Sequence, residues 1–220
     1  MQFSFFLFAF CFLLFLICLY IFAHDDFVLI RKNISMDKVY DLAFVAIIIG
    51  LFFARIFYVV FHFDPKFFNP FIFALFPYHP GLSLFGGVAA AFLYFFIMSK
   101  RSKIQTLRLL DFFSLSFIFV LPFWFLINGL LIVSAIFAIF FGIFTYIFRK
   151  IKMEEGSISH LALSSFFLVS LVVNIVQTWK NLLFLHTPEN YFLIILFIIP
   201  LAIFIRQENL LGKLKKLRSD

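Results

Sequence analysis

The sequence predicts an all-α polytopic membrane protein with seven transmembrane helices, its N-terminus outside and its C-terminus in the cytoplasm. Three observations lead there. Of 220 residues, 65% are hydrophobic and only 13% charged, whereas a soluble domain is about 45–50% apolar and about 25% charged. Apolar runs recur at the length a helix needs to cross the hydrocarbon layer, about 20 residues. The 18 Lys and Arg residues segregate into alternate loops. A chain with 41 phenylalanines would aggregate in water. The composition excludes a soluble enzyme, a disordered tail and a nucleic-acid module.

The elements follow in order within one integral-membrane domain, residues 1–220. The first span, 3–23, holds no charge, and the second, 41–62, is interrupted only by Arg55. The third, 81–99, contains Gly86, Gly87 and three consecutive alanines from Ala89 to Ala91. No charged residue occurs from Phe112 to Phe148, a stretch of 37 positions. That is two crossings, 109–127 and 130–148, with Asn128-Gly129 supplying the turn. The sixth and seventh spans are 160–179 and 191–205. Residues 67–78 are apolar but broken by Asn69-Pro70 and Pro77, which makes them an interfacial segment rather than a crossing.

Basic residues set the orientation. Seven spans place 15 Lys and Arg in the loops of one side and two on the other, with Arg55 left inside a span. The richer side is cytoplasmic. This asymmetry also accounts for the net charge of +7, so no nucleic-acid partner is called for. The test is thiol labelling of Lys66→Cys and Lys103→Cys in intact cells: Lys66→Cys reacts from outside and Lys103→Cys does not. The reverse pattern would invert the topology. With no basic residue before the first apolar run, that run is expected to remain as a helix rather than be cleaved as a signal peptide. Cys11 and Cys18 have neither disulfide-framework nor metal-ligand neighbours and read as packing residues. No metal or cofactor is expected.

Polar groups inside apolar spans carry the functional reading. Arg55 is the fifteenth residue of a 22-residue span rising from the cytoplasm, so it lies towards the outer leaflet. An arginine there is costly unless paired. Its planar, forked donors suit a lipid phosphate. Ser83 and Asn128 share that end, as do the weaker candidates His62, His79, Asn174 and Gln177. Gly86 and Gly87 allow either close helix packing or close approach of a lipid headgroup. The inner ends read as poorer in polar groups, with Asp111 placed to pair with Arg108 three residues earlier.

These residues, in this order, resemble the prolipoprotein diacylglyceryl transferases, seven-helix bacterial membrane enzymes. The family has an aspartate followed by a helix ending in a Gly-Ala-Arg-Leu-Gly-Tyr-Val type motif. Here Asp41 leads to Gly50-Leu51-Phe52-Phe53-Ala54-Arg55-Ile56-Phe57-Tyr58-Val59. The family's Gly-Gly-Met-Ser-Phe-His-Gly-Gly-Leu motif corresponds to Pro80-Gly81-Leu82-Ser83-Leu84-Phe85-Gly86-Gly87-Val88. A basic loop and an aspartate follow, as from Lys100 to Asp111. Of the signature Gly-Arg-Leu-Gly-Asn-Phe-Ile-Asn-Gly-Glu, Ile127-Asn128-Gly129 remains.

The resemblance implies transfer of the diacylglyceryl group of phosphatidylglycerol to a lipobox cysteine thiol in the bacterial cytoplasmic (inner) membrane. A membrane phospholipid is then the donor, and a prolipoprotein signal peptide brings the acceptor. The departures fall where the family's chemistry lies. Phe85 stands for the motif histidine, Pro122 for the signature arginine and Phe125 for its first asparagine. Ser170 or Asn174 stands for a late arginine, and Phe5 or Phe6 for an early tyrosine. Transfer is therefore expected to be weak or absent, and no catalytic residue is assigned. The alternative is a non-catalytic membrane protein that binds anionic lipid or a lipoprotein signal peptide.

Overall fold

A computed structural model of the chain describes residues 2–24, 26–31, 34–62, 82–101, 106–151, 153–178 and 188–208. The interfacial segment expected at 67–78, His79 and the last residues of the chain lie outside these. The described residues form eight helices: α1 (Gln2–Ala23), the short α2 (Phe27–Arg31), α3 (Met36–Phe61), α4 (Leu84–Arg101), α5 (Thr106–Ile127), α6 (Leu131–Lys150), α7 (Ser157–Thr178) and α8 (Pro188–Gln207). Six of them are long and apolar enough to cross a membrane. α4 is shorter, its apolar stretch running from Leu84 to Met98. At 1.5 Å per residue α4 still spans about 27 Å. Seven membrane helices result.

Most helices begin before the apolar runs that announced them. α3 starts at Met36 rather than 41, α7 at Ser157 rather than 160 and α8 at Pro188 rather than 191. The reason is local: a helix continues through its polar first turn, which hydropathy does not score. The turn at Asn128-Gly129 forms as its residues require. Gly129 takes φ +78°. Leu130 N–H then reaches Phe125 O at 2.9 Å and Gly129 N–H reaches Leu126 O at 3.0 Å, closing the last turn of α5 in the left-handed manner that favours glycine.

α5 is the hub, packed against α1, α4, α6 and α7. Leu109, Phe112, Leu115 and Ile118 are fully buried on it. Phenylalanine edges join it to its neighbours: Phe113 meets Phe15, Phe92 and Phe95 at ring-centroid distances of 5.0, 5.3 and 4.8 Å, and Phe117 meets Phe166 at 5.1 Å. Ring pairs in such geometries contribute about 0.5–1.5 kcal/mol each beyond area burial. The abundant phenylalanine thus builds a specific centre. The buried Ser114 and Ser116 donate to the carbonyls of Leu110 (2.7 Å) and Phe112 (2.8 Å), so they enter the apolar interior satisfied.

α3 and α4 pack closely through small residues. A Cβ on Gly87 would lie 2.9 Å from both Ala54 Cβ and Gly50 O, and one on Gly50 would lie 3.0 Å from Gly87 O. Without a hydrophobic force between helices in lipid, such backbone approach is what holds them. Ser83 N–H donates to Ala54 O at 2.9 Å, pinning the entry of α4 to α3.

The end of the bundle bearing the basic loops is richer in polar contacts than the sequence suggested. Asp111, 2% exposed, accepts from Gly156 N–H and Ser159 N–H, each at 2.8 Å, and so caps α7 from another helix. Arg108 hydrogen-bonds instead to Asp26, with Nε at 3.3 Å and a terminal nitrogen at 3.0 Å. Its guanidinium lies 4.5 Å from the Phe148 ring centroid. Asp26 also accepts from Leu29 N–H at 3.2 Å, capping α2. Glu208 accepts from Ser157 Oγ (2.7 Å) and Glu154 N–H (3.0 Å). The expected Asp111–Arg108 pairing holds as an interaction of charges, while the hydrogen bonds of the carboxylate go to the amides at the start of α7 and those of the guanidinium to Asp26. The expectation that this end is poor in polar groups is corrected.

Candidate functional site

Arg55 sits near the far end of α3, one turn beyond Leu51, and is 4% exposed. It is held within protein rather than among acyl chains. Residues at i, i+3 and i+7 share a helix face, and Tyr58 and His62 stand at those positions. The guanidinium carbon is 5.8 Å from the Tyr58 ring centroid. Tyr58 in turn stacks on His62 at 4.6 Å. His62 Nδ1 lies 3.7 Å from Glu189 Oε1 at the start of α8, and Phe57 stacks on Phe192 at 4.9 Å. These contacts bring the end of α3 and the start of α8 together, although nothing in the spacing of residues signals that the second and last spans are neighbours.

Ser83 is buried and caps α4, its Oγ accepting from Gly86 N–H at 3.4 Å. Gly86 is covered by Phe57, whose ring would lie 2.4 to 2.5 Å from an added Cβ. Gly86 is thereby enclosed by protein. Gly87 meets Gly50 and Ala54, and it also lines a cavity. Asn128 is exposed, and its amide nitrogen donates to Trp124 O of its own helix at 2.7 Å. That is a helix-end role. Asn174 donates to Asn190 Oδ1 at 2.8 Å. Asn190 is 2% exposed and was missed in the sequence; its signal was an amide placed where α8 turns apolar. The side chain of Gln177, like all of His79, is outside the described residues.

Two cavities lie near this end. The larger, about 280 Å³, is bounded by Phe8, Cys11 and Phe12 of α1, Gly50 and Ala54 of α3, Gly87 and Val88 of α4, and Phe113 and Phe117 of α5. Its walls are apolar throughout. Cys11 stands in that wall; Cys18 is buried elsewhere on α1, and both are free thiols. The smaller cavity, about 200 Å³, is lined by Leu84, Phe85, Phe125, Leu130, Val169, Ser170, Val173 and Asn174. Positions on three helices far apart in sequence thus meet: Phe85 on α4, Phe125 on α5, and Ser170 and Asn174 on α7. Among the described residues no cluster of His, Cys, Asp and Glu is placed to hold a metal ion.

Seven apolar helices among the described residues, four of them packed against the hub α5, with a buried guanidinium on α3 and an apolar cleft, define an all-α multi-pass integral membrane protein. A family model for prolipoprotein diacylglyceryl transferase matches residues 2–204, and the chain belongs to that family. A phosphatidylglycerol–prolipoprotein diacylglyceryl transferase of Fusobacterium nucleatum subsp. nucleatum is 37% identical over 83 residues, which are 37% of this chain and 28% of that relative. The matched stretch therefore spans less than a third of the relative's length. No solved structure matches the chain.

Proposed function

We propose that this protein serves lipoprotein modification in the bacterial cytoplasmic membrane as a diacylglyceryl transferase homologue that binds the donor phospholipid but transfers its diacylglyceryl group slowly or not at all. The donor is a phosphatidylglycerol-like anionic lipid, and the acceptor side is a prolipoprotein signal peptide. Arg55 is assigned the phosphate and the apolar cleft an acyl chain. Arg55 is buried next in sequence to Ala54, which stands in the cleft wall, and the forked donors of an arginine suit phosphate; these support the first half.

The second half rests on one observation. Phe85 and Phe125, which resemblance aligns with the family's histidine and asparagine, share a single cavity with Ser170 and Asn174. The fold gathers these positions, yet two of the four are hydrocarbon. Forming the thioether requires a thiolate, hence a base or a positive field nearby, and donors for the departing phosphate. A phenyl ring supplies neither. Loss of one such electrostatic contact costs about 10²–10³ in rate, and two are missing at once.

The test uses the full chain in phosphatidylglycerol nanodiscs with a synthetic lipobox peptide. Phosphatidylglycerol is expected to co-purify with the parent and to fall at least fivefold in Arg55→Ala. Thioether product from the parent should stay about 10³-fold or more below that of an active family enzyme. Robust product, or lipid retention indifferent to Arg55→Ala, would overturn the corresponding half.

A further inference from the structure

α5 changes character along its length. From Leu109 to Ser116 every residue is buried, whereas from Pro122 to Leu130 none is. Pro122 stands at that change, inside the helix. Having no N–H, it leaves the carbonyl of Ile118 without its usual bond, so the ladder is interrupted there, as at the sites where helices bend. Beyond the break the chain is tied together again. Trp124 O accepts from the backbone N–H and the side-chain amide of Asn128, at 3.3 and 2.7 Å, and Phe125 O and Leu126 O accept from Leu130 and Gly129. Residues 123–130 thus form a short closed lever joined to the hub through Pro122. Empty space lies on both sides of it: Trp124 stands in the wall of the larger cavity, Phe125 and Leu130 in that of the smaller. A close-packed interior resists displacement, but this segment has room to move either way.

One side-chain bond crosses to the break. Ser114, Ser116 and Ser165 each donate to the carbonyl four residues back on their own helix, as a serine inside a helix ordinarily does. Ser134, 8% exposed, donates instead to Pro122 O on the neighbouring helix, at 2.8 Å. It holds the lever where the helix itself is weakest. We propose that residues 123–130 are a gate between the two cavities, hinged at Pro122 and latched by Ser134, whose swing sets access to the larger cavity. Movement away from that cavity widens it at the expense of the smaller one. Release strands no buried hydroxyl, because the carbonyl of Leu130, four residues back, offers Ser134 the ordinary acceptor. Pro122 stands where the family signature has an arginine, so the hinge belongs to this chain. The gate rests neither on Arg55 nor on the transfer reading.

The two thiols of α1 report the motion. Cys11 lines the larger cavity, whereas Cys18 lies against Ser116 on the buried part of α5 and serves as the internal control. The full chain in phosphatidylcholine nanodiscs is treated with N-ethylmaleimide at one pH, and alkylation of each thiol is followed by peptide mass spectrometry. Ser134→Ala should speed alkylation of Cys11 about two- to tenfold, the equilibrium worth of one net hydrogen bond, with Cys18 unchanged. Ser134→Thr keeps the hydroxyl and should match the parent. Pro122→Ala restores the missing ladder bond and should slow Cys11, and in the double variant it should remove most of the gain from Ser134→Ala. Equal acceleration of both thiols in Ser134→Ala would show a general staple between α5 and α6 and overturn the latch. A Cys11 rate indifferent to Pro122→Ala would overturn the hinge.

Discussion

Asp111→Ala lowers the stability of the bundle by roughly 3 kcal/mol, from about 1.5–3 kcal/mol for each hydrogen bond to a charged group, less what the site recovers by relaxing. The carboxylate accepts two backbone amides of α7's beginning at 2.8 Å each while 2% exposed. Deleting it strands both N–H groups away from water, at the helix end where the macrodipole favours negative charge. Asp111→Asn keeps an acceptor and loses the charge, so it should lose about half as much. Thermal unfolding in one detergent or nanodisc preparation checks the order parent, Asp111→Asn, Asp111→Ala. Coincident unfolding of all three would show that α7 is not held by this cap. Arg108 cannot replace the lost acceptor, because a guanidinium offers donors only, and its own are turned to Asp26.

Gly87→Leu prevents α3 and α4 from packing as they do. The first added carbon alone would lie 2.9 Å from Gly50 O, a backbone atom that cannot swing away. Overpacking of a tight contact costs about 1–3 kcal/mol, and here the helices must separate, breaking the bond from Ser83 N–H to Ala54 O as well. Gly142→Leu is the matched control, since nothing lies within 4 Å of a Cβ there. Size-exclusion profiles and unfolding temperatures should show Gly87→Leu poorly folded and Gly142→Leu close to the parent. If both behave alike, the α3–α4 contact is not the tight one described.

Much of the candidate site was legible because membrane helices expose their exceptions. Arg55 stands out as the one cation inside a charge-free stretch, and Ser83, Gly86 and Gly87 stand out by their small size in an apolar run. Their roles were less legible. Gly86 is covered by Phe57 and Asn128 bonds its own helix, and neither fact follows from residue type. Both depend on which side chain of a neighbouring element arrives at that place. The convergence of Phe85, Phe125, Ser170 and Asn174 on one cavity was suggested only by resemblance, since nothing in their spacing links four positions on three helices.

By itself the sequence determined that the chain lies in the membrane, how many times it crosses, where α5 turns into α6, and that a lone arginine sits towards one end. Those properties are local. Hydropathy acts residue by residue, Gly129 alone can take φ +78° cheaply, and a helix satisfies its own backbone in lipid without outside help. The tertiary structure decided which helices touch and therefore which polar groups find partners. Asp111 with the start of α7, Asp26 with Arg108, His62 with Glu189 and Asn174 with Asn190 are pairings between separate helices or their ends. In a bundle where every helix is greasy on all sides, hydrophobic pattern does not single out a neighbour. Small-residue approach, ring-edge packing and the need to satisfy buried polar groups do, and these exist only once the chain is folded.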